Sequence, residues 1–386
     1  MLKNGDKIWL DEIVGKIHTK MSWVTEKSRE KIPYTTFEGV HDNRRINKSG
    51  VDSDGISWWT NGFWAGMNWL MYHETGQEKY AITAKKTDIW LDECFDKFYG
   101  IHHDVGFMWL LSSIANYKIT GDKEGRRRGL HAANILAGRF NPIGKFIRAW
   151  DGTLRTQDTT GWAIIDCMLN IPLLYWAYEE IKDPRFYHIA TMHADTVMEN
   201  FIRPDGSSEH IVEFDPMIGG KVTTYGGQGY SNGSAWARGQ SWALYGFMMS
   251  YIHTKNEQYL ETAKRVAHYF IANIPENGLI PQDFRMPKES AIEDSSAAGI
   301  AACGLIEISK VVNEHEKDLY LDAAIKMLRA LSEKRCDWTK ECDAIIQNCT
   351  SSYHGEGHNH HITMTYGDFF FIEAIFKLKE NDIYLW

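Results

Sequence analysis

The stretch YIHTKNEQYLETA, from Tyr251 to Ala263, decides the fold. An aromatic residue leads through a short polar turn into a second Tyr, with Ala four positions later. This is the pattern of one helix ending, a break, and a new helix starting. Variants of the phrase recur as YHETGQEKYAITA from Tyr72, YKITGDKEGRRRGLHAA from Tyr117, YEEIKDPRFYHIATMHA from Tyr178 and ISKVVNEHEKDLYLDAA from Ile308. A shortened sixth copy, FKLKENDIYLW, ends at Trp386. A unit that recurs in this way signals a repeat architecture. The flanking apolar residues keep helical spacing, as in Trp59, Phe63, Met67 and Leu70, or in Leu260, Ala263, Val266, Ala267 and Phe270. A single hairpin leaves its apolar face uncovered, so six in succession are expected to close on one another. The expectation is an all-α chain folded as an (α/α)6 barrel (six-hairpin toroid), a single domain over residues 1–386 with no Pro/Ser-rich linker to divide it. Longer Gly-bearing segments at 141–161, 203–234 and 273–297 interrupt the repeats, and strands are expected there at 211–214 and 221–224.

Composition narrows the function classes. With 386 residues, 44% hydrophobic and 24% charged, the chain can bury a large core. The formal charge is −9 and the longest basic run is Arg126, Arg127 and Arg128, a solvated helix face, so no nucleic acid partner is expected. An anionic ligand would need local cationic groups to hold it against that charge. Charged residues interrupt every apolar run of MLKNGDKIWLDEIVGKIHTK at the N-terminus, and no long uncharged apolar stretch occurs, so neither export nor a membrane partner is expected. Cys94, Cys167, Cys303, Cys336, Cys342 and Cys349 contain no CxxC pair, which fits reduced thiols and a cytoplasmic location. The chain is expected to act as a monomer or weak homo-oligomer. Its 15 Trp are compatible both with core filling and with flat platforms for sugar rings.

Three segments carry candidate chemistry. In TGWAIIDCMLNIPLLYWA, Asp166 stands between Ile165 and Cys167 on what reads as an apolar helix that Pro172 bends. A carboxyl there is costly unless paired or protonated, so its pKa should be raised, as a general acid at neutral pH requires. A structural Asp satisfied by the backbone or a Tyr accounts for the same pattern. In HHDVGFMWLLSS, Asp104 precedes a helix, where an N-cap is the ordinary role, while the adjacent His102 and His103 favour a functional one. In WWTNGFWAGMNWL, Trp58, Trp59, Phe63 and Trp64 crowd the head of a helix.

HHDVGFM, GWAIIDCMLNIPLLYWA, WWTNGFW and GQGYSNGSAWARGQSWALYG together resemble the unsaturated glucuronyl hydrolases, glycoside hydrolase family 88, over essentially the whole chain. The resemblance implies an (α/α)6 barrel and a substrate class of unsaturated uronate-containing oligosaccharides released by polysaccharide lyases. It also implies a reaction by hydration of the 4,5 double bond, without a cofactor or metal. Asp166 would be the general acid and base, and Asp104 would hold ring hydroxyls and assist it. Trp59 and Phe63 would stack on the uronate, Trp150 would line the same subsite, and His103 would bind substrate beside Asp104. His210 and Gln228 would position water, while Trp236, Arg238 and Trp242 would complete the pocket, Arg238 as a partner for negative charge. Tyr353 and His354 would reach it from a late loop. Sulfate-accepting relatives carry a Ser-x-x-Ser-x-Lys pattern there, whereas this chain has YHGEGHNHH with His354, Gly357 and Asn359, which implies unsulfated or differently sulfated substrates. The spacing of His354, His358, His360 and His361 matches no strong metal signature. Three other outcomes stay open: an unsaturated rhamnogalacturonyl hydrolase acting on pectin fragments, a non-catalytic carbohydrate-binding toroid, and a sugar epimerase or isomerase on a similar barrel.

Overall fold

The repeated phrase has a local physical cause. In a computed structural model describing residues 2–46, 55–98, 100–151, 158–355, 359–381 and 383–386, Gly76, Gly121, Lys182 and Lys255 end their helices in the left-handed region at φ 68°, 76°, 58° and 57°. Their N–H groups donate back to the carbonyls of Tyr72, Tyr117, Tyr178 and Tyr251, the Tyr that opens each copy. One residue later, Asp122, Asp183 and Asn256 cap the next helix by accepting from the N–H groups of Glu124, Arg185 and Gln258. Asn313 does the same for His315 and Glu316 in the Ile308 copy.

These breaks separate the helices in pairs. After α1 (Asn4–Lys27) come α2 (Phe63–Thr75) with α3 (Glu78–Lys97). The second pair sets α4 (Val105–Trp109), a π-helical turn Leu110–Ile114 and α5 (Ala115–Thr120) against α6 (Lys123–Gly138). Then follow α7 (Pro172–Ile181) with α8 (Pro184–Asn200), α9 (Ala237–Thr254) with α10 (Glu257–Ala272), α11 (Ser295–Val311) with α12 (Glu314–Lys334), and α13 (Thr365–Leu378). The first member of each pair is buried nearly all round, as in α9, α11 and α13, which places it in the inner ring. The second member buries one stripe, as α10 does with Tyr259, Leu260, Ala263, Val266 and Phe270. Inner helices pack in sequence, α9 on α11, α11 on α13 and α13 back on α2, which closes the expected all-α toroid.

The sixth copy departs from expectation. No helix follows α13 among the described residues; α1, from the other end of the chain, packs on it as its partner. The last residues instead tuck Leu385 and Trp386 into the core, where Trp386 Nε1 donates to Glu373 Oε1 at 2.8 Å.

Short strands lie between the hairpins. β1 (Thr36–Phe37) pairs with β2 (Val40–His41), and β3 (Phe140–Asn141) pairs with β4 (Phe146–Ile147). An antiparallel sheet of order β5-β6-β7 joins Trp162–Ile164, Ile211–Phe214 and Lys221–Tyr225, so strands form at both expected places. The segment before Asp166 is therefore not helical, contrary to the sequence reading. β5 hydrogen-bonds into this sheet, a 3-10 turn Ile165–Leu169 follows, and α7 begins at Pro172. Proline opens that helix where no N–H is needed, and does not kink it.

Candidate active site

At one end of the barrel, β5, α4, β6 and the loops beside them enclose a cavity of about 370 Å³. The strand-to-turn junction at the end of β5 projects Asp166 into it, with 18% of the side chain exposed. Its Oδ1 is buried and has no hydrogen-bond partner among the described residues. Burial, followed by the charge of Asp104, pushes its carboxyl up to about 7 against the opposing pull of Arg238.

Asp104 occupies the N-cap position of α4, yet its side chain makes no cap hydrogen bond. Its Oδ2 lies 3.0 Å from His102 Nδ1 and 3.5 Å from His103 Nε2, and Asn170 Nδ2 approaches Oδ1 at 3.4 Å. Burial alone would raise this carboxyl, but His103, His102 and Asn170 outweigh it and hold Asp104 below the usual carboxylate range. The two acids are thus driven apart, one toward the protonated form and one toward the ionised form. Burial lowers His103 to about 4 and His210 to about 3, so both imidazoles are neutral near pH 7. His102, His103 and Asp104 hold ligand-type atoms within 4.8 Å of one another. His102 and His103 both face one carboxylate oxygen of Asp104, and His103 Nδ1 is buried without a hydrogen-bond partner among the described residues.

His210 is fixed by its Nδ1, 3.0 Å from both the Gly226 carbonyl oxygen and the Gln228 amide nitrogen, which leaves Nε2 4.0 Å from Asp166 Oδ1. The close approach requires Gly227, at φ 56°, because a Cβ there would stand 2.1 Å from His210 Nδ1. Gln228 Nε2 donates to the Ser351 carbonyl at 2.7 Å. Arg238 also borders the cavity, but its guanidinium is bonded to the Asp294 carboxylate and to the carbonyls of Thr350 and Ser351. Arg238, expected as a partner for negative charge, therefore borders the cavity with its own charge already balanced by Asp294.

Trp58, Trp59 and Trp150 form the aromatic walls. Phe63, expected to stack on a sugar, is fully buried and sits edge-on to Trp59 with ring centroids 6.0 Å apart, supporting that wall from behind. Trp236 and Trp242 are likewise buried: Trp236 packs on His210 at 4.3 Å and Trp242 on Phe107 at 5.2 Å. Tyr353 and His354 meet the rim indirectly, Tyr353 N–H donating to the Gln228 carbonyl at 2.9 Å and His354 Nε2 lying 2.7 Å from the Tyr230 carbonyl oxygen. His360 and His361 engage main-chain groups, of Ser352 and Tyr353 for the first and of Glu293 for the second. Gly357 and His358 lie outside the described residues. Of the expected site, Asp166, Asp104, Trp59, His103, Trp150, His210, Gln228 and Arg238 converge on the cavity. Sequence reasoning missed Ile164, Ile211 and Gly227 on its wall and Asn170 beneath it, none of which stands out from its neighbours in the chain.

The sequence profile of Glycosyl Hydrolase Family 88 matches residues 28–375. The chain is 37% identical over 334 residues to the unsaturated glucuronyl hydrolase of Bacillus sp. (strain GL1), covering 85% of this chain and 88% of that protein. It is also 37% identical over 329 residues to the unsaturated chondroitin disaccharide hydrolase of Streptococcus pneumoniae (strain ATCC BAA-255 / R6), covering 84% and 82% of the two chains. The fold superposes on the crystal structure of the unsaturated glucuronyl hydrolase from Bacillus sp. GL1, responsible for the degradation of glycosaminoglycan, with a TM-score of 0.87 and 33% identity over 96% of this chain and 97% of that one.

Proposed function

The chain belongs to Glycosyl Hydrolase Family 88, and from that premise we propose that Asp166 moves the proton in the reaction it catalyses. The enzyme releases the nonreducing-terminal 4,5-unsaturated uronic acid from lyase-generated glycosaminoglycan oligosaccharides. Such a uronate is a vinyl ether. Protonation at carbon 4 by the Asp166 carboxyl leaves an oxocarbenium-like centre at carbon 5, and water adds there as the Asp166 carboxylate takes its proton. The hemiketal formed at carbon 5 opens the ring, and carbon 1, now a hemiacetal, expels the remaining sugar as an alcohol. Attack is not at the anomeric carbon, so carboxylate separation does not set a stereochemical outcome here.

The observation that carries this assignment is a buried carboxyl pushed up to about 7, facing a Trp-walled cavity beside an ionised neighbour. Asp104 accepts ring hydroxyls and stabilises developing positive charge. Trp59 and Trp150 hold the ring faces, and His210, Gln228 and His103 orient water and substrate. Phe63, Trp236 and Trp242 shape these groups from behind, and Tyr353 and His354 order the rim. Arg238 contributes as a member of its ion pair with Asp294. The whole chain works as one barrel domain, as a monomer or weak homo-oligomer, and its six free thiols fit a reducing cytoplasm. No described helix is long and apolar enough to cross a membrane. The late loop favours unsulfated or differently sulfated oligosaccharides.

Unsaturated disaccharides from hyaluronan, chondroitin, heparin and pectin, followed by loss of the ultraviolet absorbance of the double bond, test the assignment. Turnover is expected with the glycosaminoglycan disaccharides, and near-abolition in Asp166→Asn with the fold intact. Near-normal rates in the Asn variant would remove Asp166 from this role, and preference for the pectin fragment would move the substrate class.

A further inference from the structure

Asn170 closes the 3-10 turn that carries Asp166 and is fully buried. Both ends of its amide are engaged. Oδ1 accepts the Phe107 N–H, in the first turn of α4, at 2.8 Å. A main-chain N–H can only donate, so this bond fixes the orientation of the amide and turns Nδ2 the other way. Nδ2 lies 3.2 Å from the Asp166 carbonyl oxygen and 3.4 Å from Asp104 Oδ1. One side chain therefore touches the main chain of each acid-bearing segment and the carboxylate of one of the acids. Gly106 allows the contact, since a Cβ there would stand 2.4 Å from Asn170 Cα and 2.5 Å from its carbonyl oxygen. α4 runs on through the π-helical turn into α5, so the amide is tied to the first turn of a continuous helical stretch from Val105 to Thr120.

We propose that Asn170 is a positioning residue that locks Asp104 against Asp166 and presents Asp104 to the cavity as an acceptor. Catalysis of this kind depends on sub-ångström placement of the groups that share a substrate, so loosening the clamp should lower turnover more than binding. The inference rests on the roles proposed above for the two acids. Nothing in the chemistry of Asn170 requires it to touch substrate.

The test compares Asn170→Asp and Asn170→Ser with the parent and with Asp166→Asn on one glycosaminoglycan disaccharide, measuring kcat, KM, Tm and the pH profile of each. Asn170→Asp keeps the size and the acceptor for Phe107 N–H while turning the Nδ2 donor into an acceptor. A fall in kcat of about 10- to 100-fold with KM nearly unchanged is expected in both variants. In Asn170→Asp the deficit should shrink as pH falls toward 5, because the new carboxyl regains a proton to donate. Turnover and pH profile within about twofold of the parent in a folded Asn170→Asp would overturn the proposal, as would a loss confined to KM or to Tm. If Asn170→Ser does not fold, Asn170→Asp decides alone, and if neither folds the amide is a structural tie only and the proposal falls. Activity retained in Asp166→Asn is a separate result: it withdraws the acid assignment whatever the Asn170 variants do.

Discussion

Asp166 owes its acidity to position. It is shielded from water by burial, carries an oxygen with no hydrogen-bond partner among the described residues and stands beside a carboxylate that three other side chains keep ionised. The same facts have a cost in stability. An Asp titrates near 3.9 in an unfolded chain and Asp166 near 7 in the folded one, so the folded state binds the proton more tightly. Its contribution is complete below the unfolded value and is lost as pH rises through about 7. Asp166→Asn, which cannot ionise, should therefore melt above the parent at pH 8, with the gap narrowing toward pH 4; thermal unfolding at the two pH values checks this, and an equal gap at both would contradict it. The burial of this carboxyl was legible from Ile165 and Cys167 on either side. Asn170 was not, because a buried amide gives no sign in the chain of which two segments it will join.

The hairpin turns are where local chemistry and fold agree. A left-handed residue satisfies the carbonyl of the copy's first Tyr, and an Asp or Asn then receives the first free N–H groups of the next helix. Asn313 accepts from both His315 and Glu316 at the head of α12, an outer helix far in sequence from the site segments. Asn313→Ala should cost about 1 kcal/mol in urea unfolding, with kcat unchanged. These turns could be read directly, since each depends on residues within five positions of one another. The segment from Trp162 to Pro172 could not, because its apolar residues suit helix and strand equally. Pairing of Trp162, Ala163 and Ile164 with residues 211–213 decided for strand, and those partners lie some fifty positions away.

Across the whole molecule, a chain of charge −9 receives an anionic sugar at a cavity whose bordering Arg238 is already paired with Asp294. Among the described residues of that wall no unbalanced cation draws the substrate in, so long-range repulsion should dominate encounter at low salt. Raising ionic strength from 0.01 to 0.15 M shortens the screening length from about 30 to about 8 Å. kcat/KM should then rise, roughly twofold, and not fall; a steep fall would mean that an exposed cation steers the substrate. Closure of the barrel is likewise a property of the whole, with α1 serving as the partner that the sixth copy does not supply. By itself the sequence determined the helical repeat and its turns, because these follow from spacing and from residue types within one segment, while the two acids and most of the cavity wall were named through the resemblance of whole motifs to a known family. Tertiary structure alone decided that α1 completes the ring, that Phe63, Trp236 and Trp242 stand behind the wall, that Arg238 is neutralised, and that Asn170 joins the acids. Each of these depends on which distant segments come into contact, and a contact between distant segments leaves no periodicity in the chain.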